Sequence, residues 1–229
     1  MQPRKPSRVG PFALAVLRAI ADSGHARRIS LGGAFGILHY LDYRETHDVD
    51  AWWEPDVASE EMEGILAAVE RALSPFGRTE RRAWGDVASI DLTREGKTIF
   101  NFQVARRSAR LMPPVPSPWG IPLDDLSDLV ASKMVALVER GAPRDFRDIH
   151  ALCGSGLATA SSCWTLWRRL QEASGIEPDP ARARLAVATH LSRIAQHRPL
   201  SGIAGAGKRA EAESLRAWFE KDFLDALPD

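Results

Sequence analysis

The run LMPPVPSPWGIP at residues 111–122 places five prolines in twelve positions and so constrains this chain more than any other stretch. Proline fixes its own backbone torsion and lacks an N–H, so the run cannot form a helix or a central strand. It separates two kinds of patterning. Strand and helix signals alternate before it, and after it the apolar periodicity is helical to the end.

In the first part, Phe12, Leu14, Val16, Leu17 and Ile20 recur at helical spacing over 11–22, and Asp22-Ser23-Gly24 closes that helix. Ile29-Ser30-Leu31 reads as a short strand that runs into Gly32-Gly33, and AFGILHYLDY returns to a helical pattern. HDVDAWW alternates polar and apolar residues as a strand does, and residues 58–73 repeat apolar positions every three to four residues. Three further strands are expected near 78–84, 87–94 and 98–105, with the hairpin chemistry of TREGKT between the last two. Beyond the prolines, breaks near Gly141–Pro143, Gly154–Gly156, Gly175–Pro180 and Pro199–Gly207 divide a helical bundle, and SGIAGAG at 201–207 reads as a flexible connection. The fold class is therefore α+β: a core with a small mixed sheet over residues 1–110, followed by a helical domain over 123–229.

Of the 229 residues, 45% are hydrophobic and 26% charged, enough for one large or two small domains. Lys plus Arg and Asp plus Glu both count 30, so no global field draws the chain to nucleic acid or anionic lipid, and any such contact is local. The basic and then apolar start is broken by Arg18 and reads as an amphipathic helix rather than a leader. No stretch approaches the roughly 20 apolar residues of a spanning helix, so a soluble, cytoplasmic protein without a membrane partner is expected. Cys153 and Cys163 are too few for a disulfide framework, lack zinc spacing, and read as buried thiols in a reducing compartment. Trp164, Trp167 and Trp218 read as core rather than as base-stacking groups.

On a strand, Asp48 and Asp50 project to one face while Val49 and Ala51 face the core. Two like charges this close call for a cation, and a hard oxygen-loving ion such as Mg²⁺ is the usual solution. An isolated D-x-D is also compatible with a solvated strand end. Gly32-Gly33 adds a strand-to-helix turn where backbone N–H groups can hold phosphate, although a tight turn accounts for two glycines equally well. Lys133 falls on the apolar stripe Leu126, Leu129, Val130, Leu137, either as a snorkelling lysine or as an ammonium facing a phosphate. Asp145 and Asp148 are neighbours on one helix face, with Arg144 and Arg147 as available ion-pair partners.

The ordered set LGGAFGILHYLDYRETHDVDAWW and DLVASKMVALVERGAPRDFRDIHAL resembles the AbiEii/AbiGii toxins, a branch of the polymerase-β-like nucleotidyltransferases. The resemblance covers about residues 25–153 and rests on the glycine pair, R-x-T-x-D-x-D and K-x(6)-R-x(3)-R-D-x-x-D in combination. It implies a polymerase-β-like core followed by helices, with Lys133 and Asp148 serving the site from the helical domain. It also implies that Gly32 and Gly33 lie against nucleotide phosphates and that Asp48 and Asp50 ligate Mg²⁺ or Mn²⁺. Lys133 would contact the triphosphate, and Asp148 would orient Lys133 or help to activate the nucleophile. Thr46 would turn its hydroxyl to a phosphate, and Arg44 would be structural or hold Asp145. The substrate would be an NTP, the acceptor an RNA with the tRNA 3′ end foremost, and the partner a cognate antitoxin.

One departure stands out. A third acid expected on a later strand aligns with KTIFNFQV, where this chain has Asn101, and Asp91 in SIDL is the nearby substitute. The metal count therefore stays open. Arg78, Arg81 and Arg82, and Arg106, Arg107 and Arg110, are two local clusters available to track phosphates. Two alternatives accompany RNA transfer: nucleotidylation of a protein hydroxyl, which the balanced charge favours, and a nucleotide-binding or scaffolding protein weak in turnover, which Asn101 prompts.

Overall fold

The computed structural model describes residues 1–227, which fall into two compact units divided between Leu129 and Val130. In the first unit, helix α1 (Pro11–Asp22) leads into strand β1 (Ile29–Leu31), the short helix α2 (Gly33–Leu38) and strand β2 (Asp48–Trp53). Helix α3 (Ser59–Leu73) and strands β3 (Arg78–Trp84), β4 (Val87–Arg94) and β5 (Lys97–Ala105) complete the sheet, in the order β1-β2-β5-β4-β3. Only β2 and β5 run parallel, and the other neighbours are antiparallel. The mixed sheet and its strands thus lie where the alternation places them.

The sheet has two unlike faces because the strands alternate. Val49, Ala51 and Trp53 of β2, Phe100, Phe102 and Val104 of β5, and Ala88, Ile90 and Leu92 of β4 are buried in one core with Val16, Leu17 and Ile20 of α1 and Ile65, Leu66 and Val69 of α3. The alternate positions of β2 are only half-buried, and they include both aspartates. The β4–β5 hairpin turns at Glu95 and Gly96, both at positive φ, the geometry of a tight two-residue turn that matches the twist of its strands. Helix α2 ends at Leu38, earlier than the apolar pattern suggests. His39 caps it, buried, with Nδ1 on the Phe35 carbonyl and Nε2 accepting from Trp119 Nε1 at 2.8 Å. Burial holds the His39 pKa below its ordinary value, in keeping with a neutral ring.

The proline-rich run is a strap on the first unit. Leu31 N–H donates to the Pro122 carbonyl and Asp124 N–H to the Leu31 carbonyl, so the strap covers the open edge of β1. Ile121 and Leu123 are buried beneath it. Its end is held by charge: Arg107 Nη2 lies 2.7 Å from both carboxylate oxygens of Asp124, and Ser30 Oγ donates to Asp124 at 2.9 Å. Arg110 pairs with Glu54 and contacts Ser30, while buried Asp128 accepts from the N–H groups of Leu111 and Met112. Burial pushes the Asp124 carboxyl up, and the Arg107 guanidinium opposes that shift. Arg107 also lies over the Trp52 ring, 4.8 Å from its centroid.

The second unit continues helix α4 (Leu126–Glu139), which begins in the first, with α5 (Pro143–Gly154), α6 (Ala160–Ala173), α7 (Pro180–His197) and α8 (Ala206–Trp218). The helix breaks coincide with the Gly and Pro clusters, except that α8 starts inside SGIAGAG and absorbs its last two residues. Aromatic rings make this core: Phe146 and Phe219 lie 4.7 Å apart, Trp164 packs on Phe223, and Trp164 Nε1 donates to the Phe223 carbonyl. Trp164 and Trp167 are buried, as read from sequence, and Trp218 packs on Phe219 and Phe223. Cys153 and Cys163 are free thiols with sulfurs 3.8 Å apart. Among the described residues, no helix is long and apolar enough to cross a membrane.

Removing one member of a buried ion pair leaves the other charge without compensation, which typically costs about 3–5 kcal/mol. Asp124→Ala is therefore expected to destabilise the first unit by that amount, read as a lower urea midpoint. An unchanged midpoint would show that the strap is not anchored through this pair.

Candidate active site

Asp48 and Asp50 stand on the face of β2 opposite the core, together with Trp52. Strand pairing sets their company. Asp48 is opposite Asn101 and Asp50 opposite Gln103 on β5, and one strand further out Asn101 is opposite Asp91 and Gln103 opposite Ser89. Residues directly opposite in a ladder share a face, so these side chains form a polar patch across β2, β5 and β4. Asn101 Nδ2 donates to Asp91 Oδ1 at 2.7 Å and to Ser89 Oγ at 2.9 Å. These two hydrogen bonds direct the amide nitrogen to β4.

The position beside Asp48 thus belongs to Asn101. Asp91 stands one strand further away, with Asn101 between them and Arg82 at 3.8 Å. Two carboxylates and an amide oxygen are hard donors that suit Mg²⁺ or Mn²⁺. No cluster of three or more His, Cys, Asp or Glu side chains suited to a metal occurs among the described residues.

The glycine pair sits directly against this patch. Gly33 has φ +57°, and a Cβ built on it would overlap the Asp50 carboxylate and lie 2.7 Å from the Asp50 Cβ. A Cβ on Gly32 would come within 2.5 Å of Trp52 Nε1 and 3.3 Å of Asp124 Oδ2. The Gly32 N–H donates to the Asp50 carbonyl at 2.8 Å. One backbone donor expected for phosphate is therefore engaged in joining the turn to the acidic strand. Sequence reasoning found the glycines but not this reason for them.

Thr46 lies before β2 rather than on it, and its hydroxyl accepts from the Asp48 N–H at 3.3 Å, so it braces the strand entrance. Arg44 donates to the Glu45 carbonyl and to the Tyr43 hydroxyl. In the second unit, Lys133 is 6% exposed, with its Nζ 2.9 Å from Asp148 and 3.7 Å from Asp145. Asp145 also receives Arg140 Nε and Nη2 and the Ala142 N–H. Lys133 on the apolar stripe is thus a buried, doubly paired ammonium rather than a snorkelling one.

Four of the six clustered arginines are paired with carboxylates, while Arg78 and Arg106 are exposed. Arg81 is bound through both terminal nitrogens to Glu63, Arg82 pairs with Glu80, and Arg107 and Arg110 are the strap anchors. The partners of Arg107 and Arg110 lie 17 and 56 residues away in sequence, beyond the reach of a local reading.

Two solved structures share this architecture. JHP933 from Helicobacter pylori is 17% identical, covers 93% of this chain and 91% of its own, and gives a TM-score of 0.50. A second H. pylori chain, described as a nucleotidyltransferase, is 17% identical, covers 95% of each chain and gives 0.51. No curated protein matches the chain. The fold is that of a nucleotidyltransferase. Residues 15–197 match the model of the nucleotidyl transferase AbiEii toxin of type IV toxin–antitoxin systems, and the chain belongs to that family.

Two predictions follow from the patch. Gly33→Ala is expected to destabilise the first unit by more than the roughly 1–2 kcal/mol of left-handed strain, because the added methyl also displaces Asp50. Thermal melting checks this, and a change below that range would mean that the turn yields freely. Asn101→Asp replaces the donor to Asp91 with a like charge and is expected to lose about 1–3 kcal/mol without divalent ions. Millimolar Mg²⁺ restores part of that stability if the patch takes a cation. Loss without any recovery would speak against a cation at this face.

Proposed function

We propose that this nucleotidyltransferase moves a nucleoside monophosphate from an NTP to a hydroxyl of an RNA acceptor, with the tRNA 3′ end foremost. The observation that carries this reading is the shared face of Asp48 and Asp50 beside Gly33. The acceptor oxygen bonds to the α-phosphorus, the α–β bridging bond breaks, and pyrophosphate leaves with the bridging electron pair while the hydroxyl proton passes to a base. Asp48 and Asp50, with the Asn101 amide oxygen, would hold Mg²⁺ or Mn²⁺. When bound, the ion supplies charge stabilisation to the phosphoryl oxygens. Asp50, fixed by the close approach of Gly33, is held in place before substrate arrives, which reduces the reorganisation needed in the transition state.

In the helical unit, the pairing of Lys133 with Asp148 supports giving Lys133 the triphosphate contact and Asp148 the role of orienting it. Asp145 and Arg140 complete that charge set and are positioning groups in this reading. A cognate antitoxin as partner and a cytoplasmic setting follow from the family and belong to the same proposal.

Transfer to a protein hydroxyl is the second reading. The ion pairing of Arg81, Arg82, Arg107 and Arg110 favours it, because these groups are withdrawn from phosphate tracking.

Incubation with each labelled NTP, Mg²⁺ and total RNA tests the proposal. Label should enter RNA, and Asp48→Ala should reduce the rate by about three orders of magnitude, the scale of several kcal/mol of lost charge stabilisation. Equal labelling of RNA by Asp48→Ala overturns the site. Label that migrates with protein and resists ribonuclease overturns the RNA acceptor in favour of the second reading.

A further inference from the structure

A second chemical contrast, outside the acidic patch, lies within the helical unit. A cavity of about 450 Å³ opens there between α5, α7 and α8, with the turn after α7 along one side. Its walls are hydrocarbon: Phe146 on α5, Leu191 and Ile194 on α7, Ile203 in the turn and Leu215 on α8. Its rim is cationic. Arg147, Arg198, Lys208 and Arg216 surround the opening with Glu211 as the single acid, a local balance of four positive charges to one negative in a chain whose total is zero.

These cations differ from the others in the unit. Lys133, Arg140 and Arg184 pair with Asp148, Asp145 and Asp225, and Arg216 donates to the Arg198 carbonyl. Arg147, Arg198 and Lys208 pair with no carboxylate among the described residues. Ligand sites combine a largely apolar concave wall with a few convergent polar groups, and this volume falls in their usual range of roughly 300–1,000 Å³. The apolar part of the lining carries no side-chain donor or acceptor, so a nucleobase lying against it would leave its edge unpaired there, at a desolvation cost. An uncharged apolar molecule would use the walls and ignore the rim. The complementary ligand joins an apolar body to one anionic head.

We propose that this cavity binds a small anionic amphiphile, with its carboxylate, sulfonate or phosphate head between Arg147, Arg198 and Lys208 and its apolar body against Phe146, Leu191 and Leu215. The lining of this site shares no residue with the acidic patch, and the proposal does not rest on the transfer reaction.

The probe is 1-anilinonaphthalene-8-sulfonate, titrated by fluorescence into the intact chain, with laurate and dodecanol as competitors of equal chain length. Saturable binding at one site is expected. Laurate should displace the probe and dodecanol should not. The double variant Arg198→Ala/Lys208→Ala, at two exposed positions, should weaken binding about tenfold, and Ala212→Phe should abolish it by filling the cavity from α8. Far-UV circular dichroism and melting temperature establish that both variants remain folded. Several results would overturn the proposal. These are non-saturable binding, equal displacement by laurate and dodecanol, affinity unchanged in both folded variants, or displacement by an acidic peptide but not by laurate, which would assign the cavity to a protein partner.

Discussion

Asp50 and the turn after β1 share a space that has no room for a Cβ. Gly33 can stand there only as glycine, at positive φ, and the Gly32 N–H closes the contact by donating to the Asp50 carbonyl. This approach fixes how β1 meets β2, and β2 in turn dictates the register of β5, because the two run parallel from Asp48↔Asn101 to Trp52↔Ala105. The polar patch is the outcome. A two-residue alternation becomes a surface that includes Asn101, Gln103, Ser89 and Asp91 only because the central strands are locked in this register.

Charge compensation organises the remainder of the first unit. A sheet with one polar face cannot leave the inner end of that face bare, and here Trp52 is covered by Arg107, which Asp124 holds. Ser30 joins the same cluster from β1, where it is opposite Trp52. The strap therefore has two functions in the fold. It satisfies the outer backbone groups of Leu31, and it leads into Asp124, the carboxylate that keeps Arg107 in place, while Glu54 holds Arg110. In the second unit a smaller version of this logic holds Lys133, whose ammonium shares Asp148 and Asp145 with Arg140.

What was legible in the sequence is what periodicity and spacing encode. The β2 alternation, the β4–β5 hairpin, the helix breaks at Gly and Pro clusters and the odd position of Lys133 all follow from one or two neighbours along the chain. What was not legible depends on long-range partners. Arg110 belongs with Glu54 and Arg107 with Asp124, pairs separated by 56 and 17 residues, so a local count of arginines read them as a basic surface. His39, which caps α2, accepts from Trp119, eighty residues away, a contact that no local pattern announces. Register had the same character: Asn101 and Asp91 were both visible as third-acid substitutes, but only strand pairing distinguishes the neighbour of Asp48 from the residue that braces it.

That distinction bears on how many cations the patch suits. A third carboxylate beside Asp48 would bring the local charge of the strand acids to three, which calls for more than one divalent ion. Asn101 supplies an oxygen without a charge, and two carboxylates are balanced by one divalent ion. Asp91 does not restore the missing charge at full strength, because the Asn101 amide donates to it and Arg82 stands 3.8 Å away. Substitution of an acid by an amide thus lowers the demand for a second ion while preserving an oxygen ligand. Tethering of that amide to β4 limits the rotation through which its nitrogen would face Asp48 instead. In the reading proposed above, the electrostatics of the patch would suit a single cation between the two aspartates that the glycine turn keeps in position.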